Sequence, residues 1–119
     1  MNTIKEITDE TFEKEVLRSS TPCVVDFWAD WCPPCKAIEP VLEQLHKAYA
    51  GRVVFKKMDV GQNPVTPMKF GIRSIPALLF VTKGDVSQTL VGSQTKKAIE
   101  DALRDLFEER TAFTGLHRP

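Results

Sequence analysis

Residues 23–60 constrain the fold of this chain most, because three elements follow one another with little connecting sequence. Residues 23–29 form a nearly unbroken apolar run with β-branched and aromatic side chains, typical of a strand covered on both faces. From Cys35 onward apolar residues recur on one helical face, and Gly51 marks the predicted end of that helix. Residues 53–60 predict a second strand. This order predicts a βαβ unit with parallel strands and a right-handed crossover.

Turns, caps and hydrophobic periodicity predict the remaining elements. Before the βαβ unit, Thr8 begins a helix, with Ile7 and Phe12 at the two positions of a hydrophobic staple. After the unit come one short helix, an antiparallel hairpin and a capped final helix. The predicted ranges are a helix from Thr8 to about residue 19, a short helix within residues 61–71, strands at residues 77–81 and 86–91, and a helix at residues 95–107. Together they predict an α/β domain, a mixed sheet with helices on both faces.

Chain length and charge exclude several classes of protein. The chain has 119 residues, the size of one domain, and its 16 Lys and Arg balance 16 Asp and Glu. We therefore expect neither nucleic acid nor a membrane surface as a partner. No apolar run is long enough to span a bilayer and residues 1–6 lack a signal core, so we expect an uncleaved, cytoplasmic protein. We also expect a monomer. Apolar periodicity ends at Phe107, which predicts a domain at residues 1–107 and a flexible tail at residues 108–119.

Two of the three cysteines, Cys32 and Cys35, form a CxxC between the first strand of the βαβ unit and its helix. The free N–H groups and the positive dipole end of a helix favour a thiolate in its first turn. Because thiolates rather than thiols attack disulfides, we predict that Cys32, at the exposed edge of the turn, is the nucleophile. Cys35 is expected to lie deeper, to attack the resulting mixed disulfide and to release the reduced substrate.

Other uses of a CxxC fit this sequence less well. A structural zinc site needs about four ligands, and beyond the pair only Cys23, His46 and His117 remain, without metal-ligand spacing. Covalent haem attachment needs a histidine directly after the second cysteine, where this chain has Lys36. A purely structural disulfide is unusual in a cytosolic chain with an adequate core. We therefore expect no metal and no bound cofactor, and we interpret Cys23 as a buried core residue.

The residues around the CxxC resemble a known active-site signature. The segment Trp28-Ala29-Asp30-Trp31-Cys32-Pro33-Pro34-Cys35-Lys36 is similar to that of the thioredoxin family. The likeness covers about residues 3–107 and continues, in order and spacing, through Asp26, Pro40, Lys57, residues 70–76, Gly84 and Gly92. The resemblance implies the thioredoxin fold, a mixed five-stranded sheet flanked by four helices. It also implies an N-terminal strand at residues 3–5, which the apolar pattern does not reveal.

The same resemblance implies an activity and its partners. It implies a thiol–disulfide oxidoreductase that reduces disulfides in substrate proteins, with the Cys32–Cys35 disulfide as its redox group. An NADPH-dependent thioredoxin reductase is the implied electron donor. Two alternatives stay open: a disulfide-forming or isomerising oxidant of the same fold, and a thioredoxin-like binding subunit without catalytic activity.

Two charged residues lie in the apolar strands of the βαβ unit. Asp26 interrupts the first strand, where burial should raise its pKa. In a thioredoxin-like arrangement Asp26 lies behind Cys35 and relays protons to or from that sulfur. Lys57, in the neighbouring parallel strand, is expected to pair with Asp26 and to pull its pKa back. The alternative is that Asp26 is a structural acid satisfied by Lys57.

A substrate-binding surface is also implied by the resemblance. Ile75-Pro76 resembles the family's cis-proline, which faces the CxxC and leaves the backbone of Ile75 free to pair with an extended substrate. The alternative is an ordinary proline at the start of a strand. The residues expected to form this surface are Trp31, Pro33, Pro34, Ile75, Pro76 and Gly92.

The dipeptide between the cysteines departs from the family's usual Gly-Pro. Here it is Pro33-Pro34, so one more backbone N–H is missing beside Cys32. Cys35 N–H is then the nearest donor, and we predict that the Cys32 thiolate is stabilised less than in the Gly-Pro form.

Overall fold

The computed structural model describes residues 3–112 of the chain, which form one central mixed sheet. Its strands are β1 (Lys5–Glu6), β2 (Cys23–Trp28), β3 (Val54–Asp59), β4 (Ala77–Thr82) and β5 (Asp85–Val91). Their spatial order is β1-β3-β2-β4-β5. β3 runs parallel to both β1 and β2, and β4 runs antiparallel to both β2 and β5. The predicted βαβ unit and hairpin are confirmed. The implied N-terminal strand is present, but it lies at Lys5–Glu6 rather than at residues 3–5, because the pairing with β3 begins at Lys5.

Helices pack on both faces of this sheet. Those of the described residues are a short π-type helix (Glu13–Leu17), α1 (Pro33–Ala48), α2 (Val65–Lys69) and α3 (Lys96–Ala112). Within residues 3–112, no helix has the length and apolarity needed to cross a membrane. The five strands and four helices confirm the five-stranded mixed sheet and four helices that the resemblance implies.

Strand alternation divides the core into two layers. Val24 of β2 packs in one buried cluster with apolar residues of α1 and α3. Its neighbour Val25 faces the other way and packs in a second cluster with Cys23 and with Val16 of the π-type helix. Asp26, two residues after Val24, therefore points to the face covered by α1.

The first helix differs from its prediction. Thr8 and Thr11 form two reciprocal hydrogen bonds. The N–H of Thr8 donates to Thr11 Oγ1 at 3.0 Å, and the N–H of Thr11 donates to Thr8 Oγ1 at 3.3 Å. These bonds close a separate turn, so the helix begins at Glu13 and the predicted start at Thr8 is wrong. The predicted staple residues Ile7 and Phe12 are both buried in the second cluster.

The final helix is longer than predicted. Thr95 is its cap, because its Oγ1 accepts a hydrogen bond from the N–H of Ala98 at 3.0 Å. The helix continues to Ala112, beyond the loss of apolar periodicity at Phe107. Glu, Arg and Ala are good helix formers, so the backbone can continue as a helix without an apolar face. Residues 113–119 of the predicted tail lie outside the described residues.

Candidate active site

Cys32 and Cys35 lie at the start of α1 and form a disulfide, with their Cα atoms 5.3 Å apart. Cys32 is the N-cap of the helix and has an extended backbone. Pro33 and Pro34 occupy its first two positions, where N–H groups have no partner within the helix. The N–H of Cys35 donates to Cys32 Sγ at 3.2 Å, as the Pro-Pro sequence predicted. The helix start therefore supplies one direct backbone donor to the outer sulfur.

The two sulfurs differ in accessibility less than expected. Cys35 is fully buried, and Cys32 is only 5% exposed, so the prediction that Cys32 lies at an exposed edge is wrong. The reason is local packing: the disulfide packs with Ala29, and the side chains of Val60 and Ile75 lie against it. Cys32 is still the more exposed residue of the pair.

Asp26 is buried beside α1, with 2% of its surface exposed. Its Oδ1 has no hydrogen-bond partner among the described residues. Burial and then repulsion by Glu39 raise its pKa to about 7, against a partial lowering by Lys57. Glu39 follows Cys35 by four residues and lies on the same side of α1. Asp26 thus faces the side of α1 that carries the inner sulfur.

Lys57 is the register partner of Asp26 on β3. Within residues 3–107, however, no ion pair joins the two side chains, so the predicted pairing is wrong. The Lys57 Nζ instead lies 5.3 Å from the centre of the Trp28 ring, where the π face attracts a cation. Trp28 is half-buried and its Nε1 donates to Glu6 Oε2 at 3.0 Å. Lys57 therefore acts on Asp26 only through space.

The Ile75-Pro76 peptide bond is cis, as the resemblance implied. Ile75 packs against the disulfide cluster, and the carbonyl of Pro76 accepts a hydrogen bond from Gly92 N–H at 2.8 Å. Gly92 has a φ of +90°, which favours glycine, and no atom lies within 4 Å of the position that a Cβ would take. Gly92 therefore lies beside the cis peptide bond, and the space next to its Cα is open.

A groove of about 420 Å³ lies between Trp31, the residue before Cys32, and α2. Trp31 and Met68 border it and are 70% and 76% exposed, respectively. The groove is lined by Trp31, Val60, Pro64, Pro67, Met68, Gly71, Ile72, Arg73 and Ile75. Trp31 and Ile75 are predictable from the sequence, whereas the α2 side of the groove is not, because it depends on where that short helix packs.

Asp9 holds α2 against the rest of the domain. Its carboxylate accepts hydrogen bonds from the N–H groups of Val65, at 3.1 Å, and Thr66, at 2.8 Å. Burial works against the charged form, but the bonds from Thr66 and Val65 prevail and lower the pKa of Asp9. The groove therefore has a wall anchored from a distant part of the sequence.

Cys23 lies outside this site. It is fully buried on the opposite face of the sheet, and burial raises the pKa of its thiol. The interpretation of Cys23 as a core residue is confirmed.

A disulfide-forming cysteine pair at a helix start, on this fold, defines a thiol–disulfide oxidoreductase. The thioredoxin family model matches residues 3–105. Thioredoxin from Rickettsia felis is 42% identical over 95 residues, which cover 80% of this chain and 90% of that protein. Thioredoxin from Thiocapsa roseopersicina is 47% identical over 88 residues, covering 74% of this chain and 97% of that protein. The chain belongs to the thioredoxin family, and it reduces protein disulfides by dithiol–disulfide exchange.

Proposed function

We propose that Cys32 is the attacking sulfur and Cys35 the resolving sulfur. The Cys32 thiolate attacks a substrate disulfide, one substrate thiolate leaves, and a mixed disulfide forms. Cys35 then attacks Cys32 Sγ, the second substrate thiolate leaves, and the Cys32–Cys35 disulfide forms. Two electrons pass to the substrate. The observation that carries this assignment is the position of Cys32 Sγ, at the helix N-terminus and within reach of the Cys35 N–H.

Asp26 is the proposed proton acceptor for Cys35. Cys35 is fully buried, so bulk water does not reach its thiol, and an internal base has to accept its proton before the second attack. A carboxyl group with a pKa of about 7 can both accept and return a proton near neutral pH. Lys57 tunes this group through space, because its positive charge partly lowers the pKa of Asp26.

The substrate-binding surface is proposed to include the open side of the cysteine loop. Trp31, Pro33 and Pro34 are exposed beside the disulfide. The packing of Ile75 against the disulfide cluster and the open space at Gly92 support pairing of an extended substrate segment with the Ile75 backbone. The large exposed surface of Trp31 supports apolar contact with that segment.

The proposed setting is a cytoplasmic electron carrier that contributes to cell redox homeostasis. The protein is proposed to be a monomer, and residues 1–107, which include the matched residues 3–105, are its proposed catalytic domain. The proposed electron donor is an NADPH-dependent thioredoxin reductase, which would reduce the Cys32–Cys35 disulfide after each turnover. No bound cofactor is needed, because the two sulfurs carry both electrons.

Insulin reduction with such a reductase tests this assignment. Cys32→Ser should abolish turnover, whereas Cys35→Ser should accumulate a mixed disulfide with the substrate. Cys23→Ser is the matched control, because its thiol lies on the other face of the sheet and turnover should be unchanged. Turnover by Cys32→Ser, or no trapped intermediate with Cys35→Ser, would contradict the two roles. An equilibrium with glutathione like that of the strong oxidants would favour the disulfide-forming alternative.

A further inference from the structure

Three charged residues form one row across the sheet. Glu6 on β1 is the register partner of Lys57 on β3, and Lys57 is the register partner of Asp26 on β2. Paired residues of parallel strands point to the same face, so all three side chains face the α1 side. Lys57 therefore lies between the carboxylates of Glu6 and Asp26, either of which can attract its ammonium group.

Trp28 lies beside this row and contacts two of its members. Glu6 Oε2 accepts a hydrogen bond from Trp28 Nε1 at 3.0 Å, at the edge of the indole. Lys57 Nζ lies 5.3 Å from the ring centre, over its face. The ring thus has an anion at its edge and a cation over its face. Among the described residues, Asp26 is left without an ion-pair partner.

We propose that Glu6 is a positioning residue that keeps Lys57 away from Asp26 and thereby leaves Asp26 able to accept a proton. Its hydrogen bond holds the Trp28 ring under the ammonium group, and its negative charge attracts that group towards β1. If Lys57 moved next to Asp26, the pair would hold Asp26 ionised at neutral pH. The consequence of this positioning for turnover rests on the proposed role of Asp26.

Other charges face Asp26 and must be separated from this effect. Lys57 faces it from β3, Glu6 from β1 and Glu39 from α1, the element that also carries the Cys35 thiol in the reduced protein. Glu39 repels Asp26 but, in the described residues, forms no hydrogen bond or ion pair with Trp28 or Lys57. Positioning through Lys57 is therefore distinct from simple repulsion between carboxylates.

Titration of the Asp26 carboxyl carbon, followed by NMR in the oxidised protein, tests the proposal without turnover. Glu6→Ala removes both the charge and the hydrogen bond, and should lower the titration midpoint of Asp26 by about half a pH unit, a modest value because Glu6 is exposed. Glu6→Gln keeps an acceptor for Trp28 Nε1 and should lower the Asp26 midpoint less than Glu6→Ala does. Glu10→Gln is the control, because it removes the same charge from an exposed position outside the row. An unchanged or higher midpoint in Glu6→Ala overturns the proposal.

The Lys57→Met background separates positioning from repulsion. Without the ammonium group, Glu6→Ala should lose most of its effect on the Asp26 midpoint, because there is no cation left to release. An equal shift in both backgrounds would show that Glu6 acts by direct repulsion alone, and the positioning role would be wrong. Asp26→Asn tests the proposed function separately: an unchanged rate of Cys35 attack in that variant removes Asp26 from catalysis, whatever the Glu6 titrations show.

Discussion

The side chains of Glu15 and Asp26 lie on opposite faces of the sheet, and their surroundings differ. Glu15 forms ion pairs with Lys5 at 2.8 Å and Lys56 at 3.0 Å, and these contacts lower its pKa to about 2. Asp26 has no ion-pair partner within residues 3–107, and burial followed by repulsion from Glu39 raises its pKa to about 7. Glu15 is therefore charged throughout the neutral range, whereas Asp26 can exchange a proton there.

The two environments come from adjacent rows of the same strands. Lys5 pairs in register with Lys56, and the next row pairs Glu6 with Lys57. Successive residues of a strand face opposite sides, so two lysines converge on Glu15 on one face. On the other face Lys57 lies between Glu6 and Asp26 with its ammonium group over the Trp28 ring, and Asp26 is left without an ion-pair partner among the described residues. Adjacent rows of the same strands therefore surround a paired carboxylate on one face and an unpaired carboxylate on the other.

The largest expected effect is on how stability depends on pH. A carboxyl group whose pKa is raised on folding stabilises the fold at low pH, and this contribution is lost as the pH rises through the folded value. For Asp26, a rise from 3.8 to about 7 corresponds to about 4 kcal/mol lost between acidic and mildly alkaline pH. Asp26→Asn should remove this loss and be the more stable protein at about pH 8. Denaturant unfolding of the oxidised wild-type and Asp26→Asn proteins, from acidic to mildly alkaline pH, measures this loss. If the free energies of unfolding of the two proteins changed with pH in parallel, the isolation of Asp26 would be contradicted.

The next largest effect is kinetic. Asp26→Asn should slow the attack of Cys35 on the mixed disulfide about 100-fold at neutral pH, the usual contribution of a positioned base. The first attack, by Cys32, should change much less. Rapid-mixing kinetics of the two steps with one disulfide substrate distinguish them. If both steps slowed equally, Asp26 would be acting on the fold or on binding rather than on Cys35.

The paired carboxylate should show the opposite dependence on pH. A pKa lowered on folding stabilises the fold above the unfolded value, and this contribution is lost as the pH falls through the folded value. Glu15→Gln should therefore cost about 1 kcal/mol at neutral pH, discounted because the Lys5 side chain is 60% exposed, and nothing at about pH 2. Glu13→Gln, on the exposed side of the same helix, is the matched control. A cost for Glu15→Gln that persists in acid would mean that packing, rather than charge, holds this contact.

The smallest expected effect concerns the Cys32 thiolate. Like the Asp26 carboxylate, it has few hydrogen-bond donors around it. Pro33→Gly adds a backbone N–H beside Cys32 and should lower the midpoint of its thiolate titration by about half a pH unit. Thiolate absorbance measured against pH in both reduced proteins gives the difference. If the midpoint is unchanged or rises in Pro33→Gly, the proline at this position does not weaken the stabilisation of the Cys32 thiolate.

The parts of the site that depend on local sequence were predictable. Cys32 and Cys35 are brought together by one helical turn, and the hairpin follows from Gly84 with its positive φ. The cis bond at Ile75-Pro76 came from the resemblance, since the strand pattern alone fits an ordinary proline equally well. These features need few long-range contacts to be recognised.

The parts that depend on strand register were not predictable. β1 is two exposed residues long, so no apolar alternation reveals that Glu6 lies opposite Lys57. Lys57 was expected to pair with Asp26, but the position of the Trp28 ring gives the ammonium group another partner. Periodicity shows which face a residue occupies, whereas the choice among charged neighbours depends on tertiary contacts.

The isolation of Asp26 is the central claim, and it can be measured directly. NMR titration of its carboxyl carbon in the oxidised wild-type protein reports when this one group gains its proton. We predict a midpoint of about 7. A midpoint near the ordinary value of 3.8 would show that Asp26 is ionised at neutral pH, and would contradict its role as the proton acceptor for Cys35.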